Sequence, residues 1–90
     1  MNKDDLVSAV ANSVGMSWAD AGRAVESVFD NITSSLQAGN DVRLVGFGTF
    51  SVSHRNAITG RNPRTGAPVQ IPARKVPKFK AGKALKEALN

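Results

Sequence analysis

At Asp41 the spacing of apolar residues changes from three and four to two, and that switch divides the chain into a helical half and a strand half. Before it, Leu6, Val7, Val10, Ala11 and Val14 mark one face of an amphipathic helix from about Lys3 to Val14. Asn2 or Lys3 can start this helix, Asp4 and Asp5 complement the positive end of its dipole, and Gly15 is a left-handed stop. Ser17 is the expected N-cap of a second helix, with Asp20 three residues on as a short-armed capping box. That helix carries Ala21, Ala24, Val25, Val28, Phe29, Ile32 and Leu36 on one face, with Gly39 at its end.

Beyond Asp41, Val42 and Leu44 alternate with Arg43 and Val45, and GFG at 46–48 supplies a turn in which Phe47 is expected to be buried. Phe50 and Val52 then alternate with Thr49, Ser51 and Ser53. The pattern fades through His54, Arg55, Asn56 and Ala57, resumes at Val69 and Ile71, and is expected to end at Pro77. Ala84, Leu85, Ala88 and Leu89 predict a short C-terminal helix with Lys83 and Lys86 on its polar side. The order ααβββα makes this an α+β chain: a helical hairpin base, a three-stranded antiparallel sheet with a long β-ribbon arm, and a short final helix.

The outer half of the hairpin, about Ser53 to Arg74, has little to bury, and an isolated two-stranded ribbon is marginal in water. Its centre is GRNPRTG, residues 60–66, with two arginines about a proline and a glycine at each end. Phe29, Phe47, Phe50 and Phe79, with the apolar faces of both helices, exceed what so small a body can hide. The expectation is a dimer in which two subunits complete one core.

Charge follows the same division. Residues 1–41 hold Lys3 and Arg23 against six carboxylates, a balance of −4, whereas residues 42–90 hold ten Lys or Arg against Glu87 alone, a balance of +9. A half so basic points to a polyanion. Ninety residues allow one domain, and no apolar run approaches the roughly 18–20 residues that span a bilayer. MNKDDLV lacks the order of a signal peptide, and without cysteine there is neither a disulfide framework nor a thiolate metal site. No cofactor, membrane or small-molecule substrate is expected.

Catalytic motifs are wanting. His54 is the only histidine and has no cysteine or nearby carboxylate for a nucleophile–base pair. GFGTF is not G-x-G-x-x-G, because position 51 is serine. The cations, in contrast, are organised: Arg55, Arg61, Arg64, Arg74 and Lys75 on or beside the hairpin, then Lys78, Lys80, Lys83 and Lys86. Guanidinium and ammonium groups suit phosphate contacts, and a two-stranded ribbon is narrow enough for a nucleic-acid groove. No aromatic residue interleaves these charges, which disfavours recognition by base stacking.

GFGTFSVSHR, TGRNPRTG and IPARKVPKFKAGKALKEALN together strongly resemble the HU family of bacterial nucleoid-associated, histone-like DNA-binding proteins, and the resemblance runs from Met1 to Asn90. It implies a single HU-like domain that pairs as an intertwined dimer, with residues 1–40 a helical dimerisation base, 41–76 a sheet with a DNA-binding arm at about 53–75, and 77–90 the C-terminal helix. It also implies a non-enzymatic protein of the bacterial cytoplasm and nucleoid that binds double-stranded DNA through the minor groove with little sequence preference. Such a protein bends the duplex, favours kinked, nicked or flexible DNA, and compacts and stabilises the chromosome. The implied DNA-binding residues are Lys3, Arg55, Arg61, Asn62, Pro63, Arg64, Arg74, Lys75, Lys80, Lys83 and Lys86, with Pro63 the intercalating wedge and Asn62 the side chain best suited to reading base edges.

Two positions depart from the family pattern. Ile58 stands where many relatives carry an arm arginine, and Arg64 adds a charge where relatives often have a neutral residue. The partner subunit is a second copy or a paralogue. Open alternatives are a site-specific bender of the integration host factor type, an RNA-binding module, and a scaffold whose dimers contact one another on DNA.

Overall fold

Polar side chains at the ends of the first helix do what its orphan backbone groups require. The computed structural model describes residues Met1–Asn90, in which α1 is Lys3–Val14 and α2 is Trp18–Gln37. Asn2 caps α1 reciprocally: its side chain accepts from the Asp5 amide at 2.9 Å, and its own amide donates to the Asp5 carboxylate at 3.1 Å. Gly15 closes α1 in the left-handed region. Ser17 Oγ accepts from the Asp20 amide at 3.1 Å, but the Asp20 carboxylate is taken by the Arg23 guanidinium instead of completing a capping box.

The chain divides into two compact units, Met1–Ser35 and Leu36–Asn90. In the helical unit Val7 and Ala11 of α1 are buried with Ala21 and Val25 of α2, and Leu6, Val10 and Met16 pack around them. Of the rest of the expected α2 face, Ala24, Val28 and Phe29 are exposed, Phe29 by 42%, whereas Ile32 and Leu36 are half-buried. Trp18 is a half-packed surface residue whose Nε1 donates to Ser8 Oγ at 3.3 Å.

The second unit contains β1 (Val42–Leu44), β2 (Gly48–Arg55), β3 (Ile58–Arg61), β4 (Pro68–Ile71), β5 (Arg74–Ala81) and α3 (Lys83–Leu89). Three strands form an antiparallel sheet in the order β1-β2-β5, and β3-β4 is a separate two-stranded ribbon. The sheet and the ribbon are one hairpin with a gap. Two residues are skipped on each strand, Asn56–Ala57 and Pro72–Ala73, so Ile58↔Ile71 continues the register of Arg55↔Arg74.

Three expectations need correction. Pro77 does not end its strand: β5 runs on to Ala81, because β5 lies at a sheet edge, where a residue without an N–H is tolerated. The turn after β1 occupies Val45–Phe47, and Gly48 already belongs to β2. Phe47 is 46% exposed within the chain instead of buried. Its ring meets Phe79 at a tilt, 5.5 Å between centroids, and Phe79 meets Phe50 likewise at 4.8 Å, but Phe47 and Phe79 stay 46% and 44% exposed, so this aromatic row is open on its outer side. No helix is long and apolar enough to cross a membrane.

Gly48 lets the row assemble. A Cβ there would lie 2.5 Å from the Phe79 ring and 2.6 Å from the Lys80 carbonyl oxygen, so a neighbour would have to move. Gly48→Ala is therefore expected to destabilise the protein by roughly 1–3 kcal/mol, the usual cost of overpacking, measured as a lower urea midpoint; an unchanged midpoint would refute the close approach.

Candidate nucleic-acid interface

In an antiparallel pair, directly opposed residues share a face and the faces alternate along each strand. The register of β1, β2 and β5 consequently sorts the sheet by chemistry. One face carries Val42, Leu44, Phe50, Val52, Pro77 and Phe79, with His54 and Lys75 at its outer end; the other carries Arg43, Thr49, Ser51, Ser53, Arg55, Arg74, Val76, Lys78 and Lys80. Arg43, Thr49 and Lys80 form one continuous row across the three strands. Small hydroxyl residues between the cations leave their charged ends free to reach outward.

Arg43 thus joins the cationic face although it was not among the expected cations, and so does Lys78, one of the organised cations but not of the residues the resemblance implies. The alternation of Arg43 with Val42 and Leu44 already carried the signal, but a three-residue strand gives it little weight. At one end of the sheet a concavity of about 720 Å³ brings Arg43, Lys80, Lys83 and Lys86 together with a single carboxylate, Asp41. Lys83 also lies 3.8 Å from Glu87, an exposed pair of little energetic weight.

At the other end Arg55 stands directly opposite Arg74, and His54 opposite Lys75. These four side chains line a hollow of about 360 Å³ with Asn56 and Ala73. Like charges directly opposed destabilise a strand pair unless an anion lies between them. Lys75 falls on the opposite strand face from Arg74 and Lys80, so the expected cations do not share one surface. Lys3 belongs to the helical unit and is paired there with Glu26; the hydrogen bond to that carboxylate raises the Lys3 pKa above its usual value. A phosphate approaching Lys3 competes with Glu26.

The ribbon tip is a closed turn. The Asn62 amide donates to the Ala67 carbonyl at 2.8 Å, and the Gly66 amide donates back to the Asn62 carbonyl at 2.7 Å. Gly66 sits at φ +70, a conformation that a side chain would strain. Asn62 Oδ1 accepts from the Arg64 amide at 2.8 Å, and Thr65 Oγ1 from the Ala67 amide at 3.2 Å. Asn62 is therefore a structural residue of the turn: the backbone bond to its Oδ1 ties the side chain to its own loop. Pro63 is held exposed between Arg61 and Arg64. No group of three or more His, Cys, Asp or Glu side chains converges as a metal site would require.

The description "Bacterial DNA-binding protein" applies to the family whose profile matches residues 1–90. The chain is similar to DNA-binding protein HRm of Rhizobium meliloti (strain 1021), with 62% identity over 100% of both chains. It is 56% identical to DNA-binding protein HU-beta of Pseudomonas aeruginosa, again over 100% of both. Among solved structures, an Anabaena HU–DNA cocrystal structure matches with TM-score 0.90 and 39% identity over 99% of this chain and 97% of that one. HU from Thermotoga maritima matches over 100% of both chains, with TM-score 0.72 and 33% identity.

Replacing one member of the Arg55–Arg74 pair by an acid should convert repulsion into attraction. Arg74→Glu is expected to raise stability by about 0.2–1 kcal/mol in thermal unfolding at low salt, with the gain fading as salt is added. A loss of stability at low salt would contradict the like-charge reading.

Proposed function

The chain belongs to the HU family of bacterial DNA-binding proteins, and from that premise we propose that it lays its ribbon in the minor groove of duplex DNA and bends it with Pro63. Its function is architectural: it binds DNA of the bacterial nucleoid. The observation that carries the finer reading is the absence of any carboxylate between Asp41 and Glu87, where ten cations are displayed on a sheet face, a ribbon and a final helix. Such a surface binds by displacing counterions, so affinity falls with salt by a slope of about −0.9 per phosphate neutralised.

The proposed division of labour follows the position of each side chain. Arg43, Lys78, Lys80, Lys83 and Lys86 attract the phosphates of DNA running along the sheet, and Lys3 contributes once it leaves Glu26. Arg55, Arg74 and Lys75 hold DNA at the root of the ribbon, where a phosphate relieves the opposed arginines. Arg61 and Arg64 grip on either side of the tip. Pro63, rigid and apolar, enters a base step as a wedge of the kind described for architectural proteins of this family. Unstacking costs least at flexible, nicked or gapped steps, so those substrates are preferred over intact linear duplex. With Asn62 Oδ1 engaged in its own turn, little base-edge reading remains, which argues against the site-specific alternative.

The functional unit in this reading is a dimer, of two copies or of this chain and a paralogue. Its support is apolar surface that the single chain leaves in water: Phe29, Phe47 and Phe79, exposed by 42%, 46% and 44%, together with Val28, Leu44 and Val45. Exposed apolar area of this extent on each of the two units supports an interface.

Pro63→Ala should reduce duplex bending, followed by energy transfer between fluorophores on the DNA ends, more than it reduces affinity at low salt. An unchanged bend would remove the wedge role. Equilibrium sedimentation is expected to give twice the chain mass at micromolar concentration; a folded monomer would refute the shared core.

A further inference from the structure

The cationic face of the sheet ends in a recess. Arg43, Thr49 and Lys80 point to the same side on three adjacent strands. Strands spaced about 4.8 Å apart set Arg43 and Lys80 roughly 10 Å from each other at the backbone. Lys83 and Lys86, three residues apart and so on one side of α3, close the row from its end. These four cations border one concavity of about 720 Å³ in which Asp41 is the only acid, a balance of +3. Of the four, only Lys83 has a carboxylate partner, the exposed Glu87 at 3.8 Å.

The walls of this recess are fixed to one another. The Gly82 amide donates to the Phe47 carbonyl at 2.8 Å, which ties the start of α3 to the turn after β1. A Cβ on Gly82 would lie 3.1 Å from that same oxygen, so the two segments meet as closely as backbone allows. The cations are therefore gathered before any anion arrives, which lowers the ordering cost of binding one.

An occupant must bring several negative charges to one place. A duplex strings single charges along a convex rod, so its phosphates reach the rim of a recess one at a time. A phosphomonoester carries about −1.5 to −2, short of the balance of +3. Phosphates linked in a short chain exceed it within one compact group. Their oxygens can meet the Arg43 fork in pairs and the lysines and the Thr49 hydroxyl singly. The size fits as well, since small-ligand sites occupy about 300–1,000 Å³.

We propose that the recess is a site for a free oligophosphate chain, carried as inorganic polyphosphate or as a nucleoside triphosphate. Lys80, Lys83 and Lys86 then have two claimants, the chain in the recess and the phosphates of DNA lying along the sheet. A filled recess no longer attracts phosphate, so occupancy loosens the sheet from DNA while Arg61, Pro63 and Arg64 keep their hold at the ribbon tip. That competition rests on the DNA-binding reading above; the binding of the chain itself does not.

Equilibrium dialysis of the full-length protein without DNA, against inorganic tripolyphosphate at fixed ionic strength, measures the site alone. Binding should saturate at one tripolyphosphate per chain, and orthophosphate, with its smaller charge, should bind about tenfold more weakly. Arg43→Gln and Lys86→Gln should each weaken tripolyphosphate binding about tenfold, the scale of one lost charge-assisted contact. Arg64→Gln takes the same charge from the arm; it should weaken DNA binding and leave the tripolyphosphate affinity as it was. Binding that never saturates, or that falls as much with Arg64→Gln as with Arg43→Gln, is a diffuse ion atmosphere and overturns the proposal. ATP in place of tripolyphosphate separates the two sources: equal affinity means that the phosphate chain alone is read, and unequal affinity names the preferred carrier. In a DNA titration, tripolyphosphate should weaken binding by the unsubstituted protein, and Arg43→Gln should blunt that effect. A protein that binds tripolyphosphate but no DNA would sink the DNA-binding reading and spare this site; one that binds DNA but no tripolyphosphate would do the reverse.

Discussion

Eight consecutive cross-strand pairs, from Gly48↔Ala81 to Arg55↔Arg74, hold β2 to β5 without a bulge, and the sorting of side chains depends on that uninterrupted register. With a period of two, each phenylalanine on one face implies a hydroxyl or cation on the other. A slip of one residue would send Phe50 and Phe79 among the lysines and Arg55 among the aromatics. Gly48 guards the register at its inner end by admitting the Phe79 ring, and the two faces then differ in chemistry, one apolar and one ionic.

Neither partner is supplied from within the single chain. The aromatic row is stacked but open, and the cations oppose one another at the root of the ribbon with no carboxylate nearby. Folding has therefore concentrated two unfavourable surfaces, exposed apolar area and like charge, and in the proposed reading each is relieved by association. Apolar burial suits a lasting protein interface, whereas charge neutralisation is adjustable by salt and suits a ligand that must be gripped and released. The helical unit, by contrast, is internally satisfied at its caps and in its small Val7–Ala11–Ala21–Val25 centre.

Much of this was legible in the chain itself because the signals were local. The period change at Asp41, the cap at Asn2, the stop at Gly15 and the ribbon around GRNPRTG each depend on neighbours within a few residues. Legibility failed where a residue's role depends on what lies across a strand. Pro77 reads as a stop until its strand is known to be an edge, and Arg43 reads as an isolated charge until Thr49 and Lys80 extend its row. Asn62 looks free to read bases, yet its oxygen is tied two residues away by the Arg64 amide. Phe47 was expected inside because aromatic residues usually are, and only the geometry reveals that the inside is incomplete.

The paired gap between sheet and ribbon has a mechanical meaning. Asn56–Ala57 and Pro72–Ala73 drop two rungs from the ladder on both sides at the same height, so the outer rungs resume in phase with the inner ones. Such an interruption is a knuckle: it localises bending at one level while conserving which side of the hairpin is oily and which is charged. An arm jointed in this way can follow a duplex through different curvatures and still present the same edge to it, much as a wrist changes the angle of a hand without exchanging palm for back.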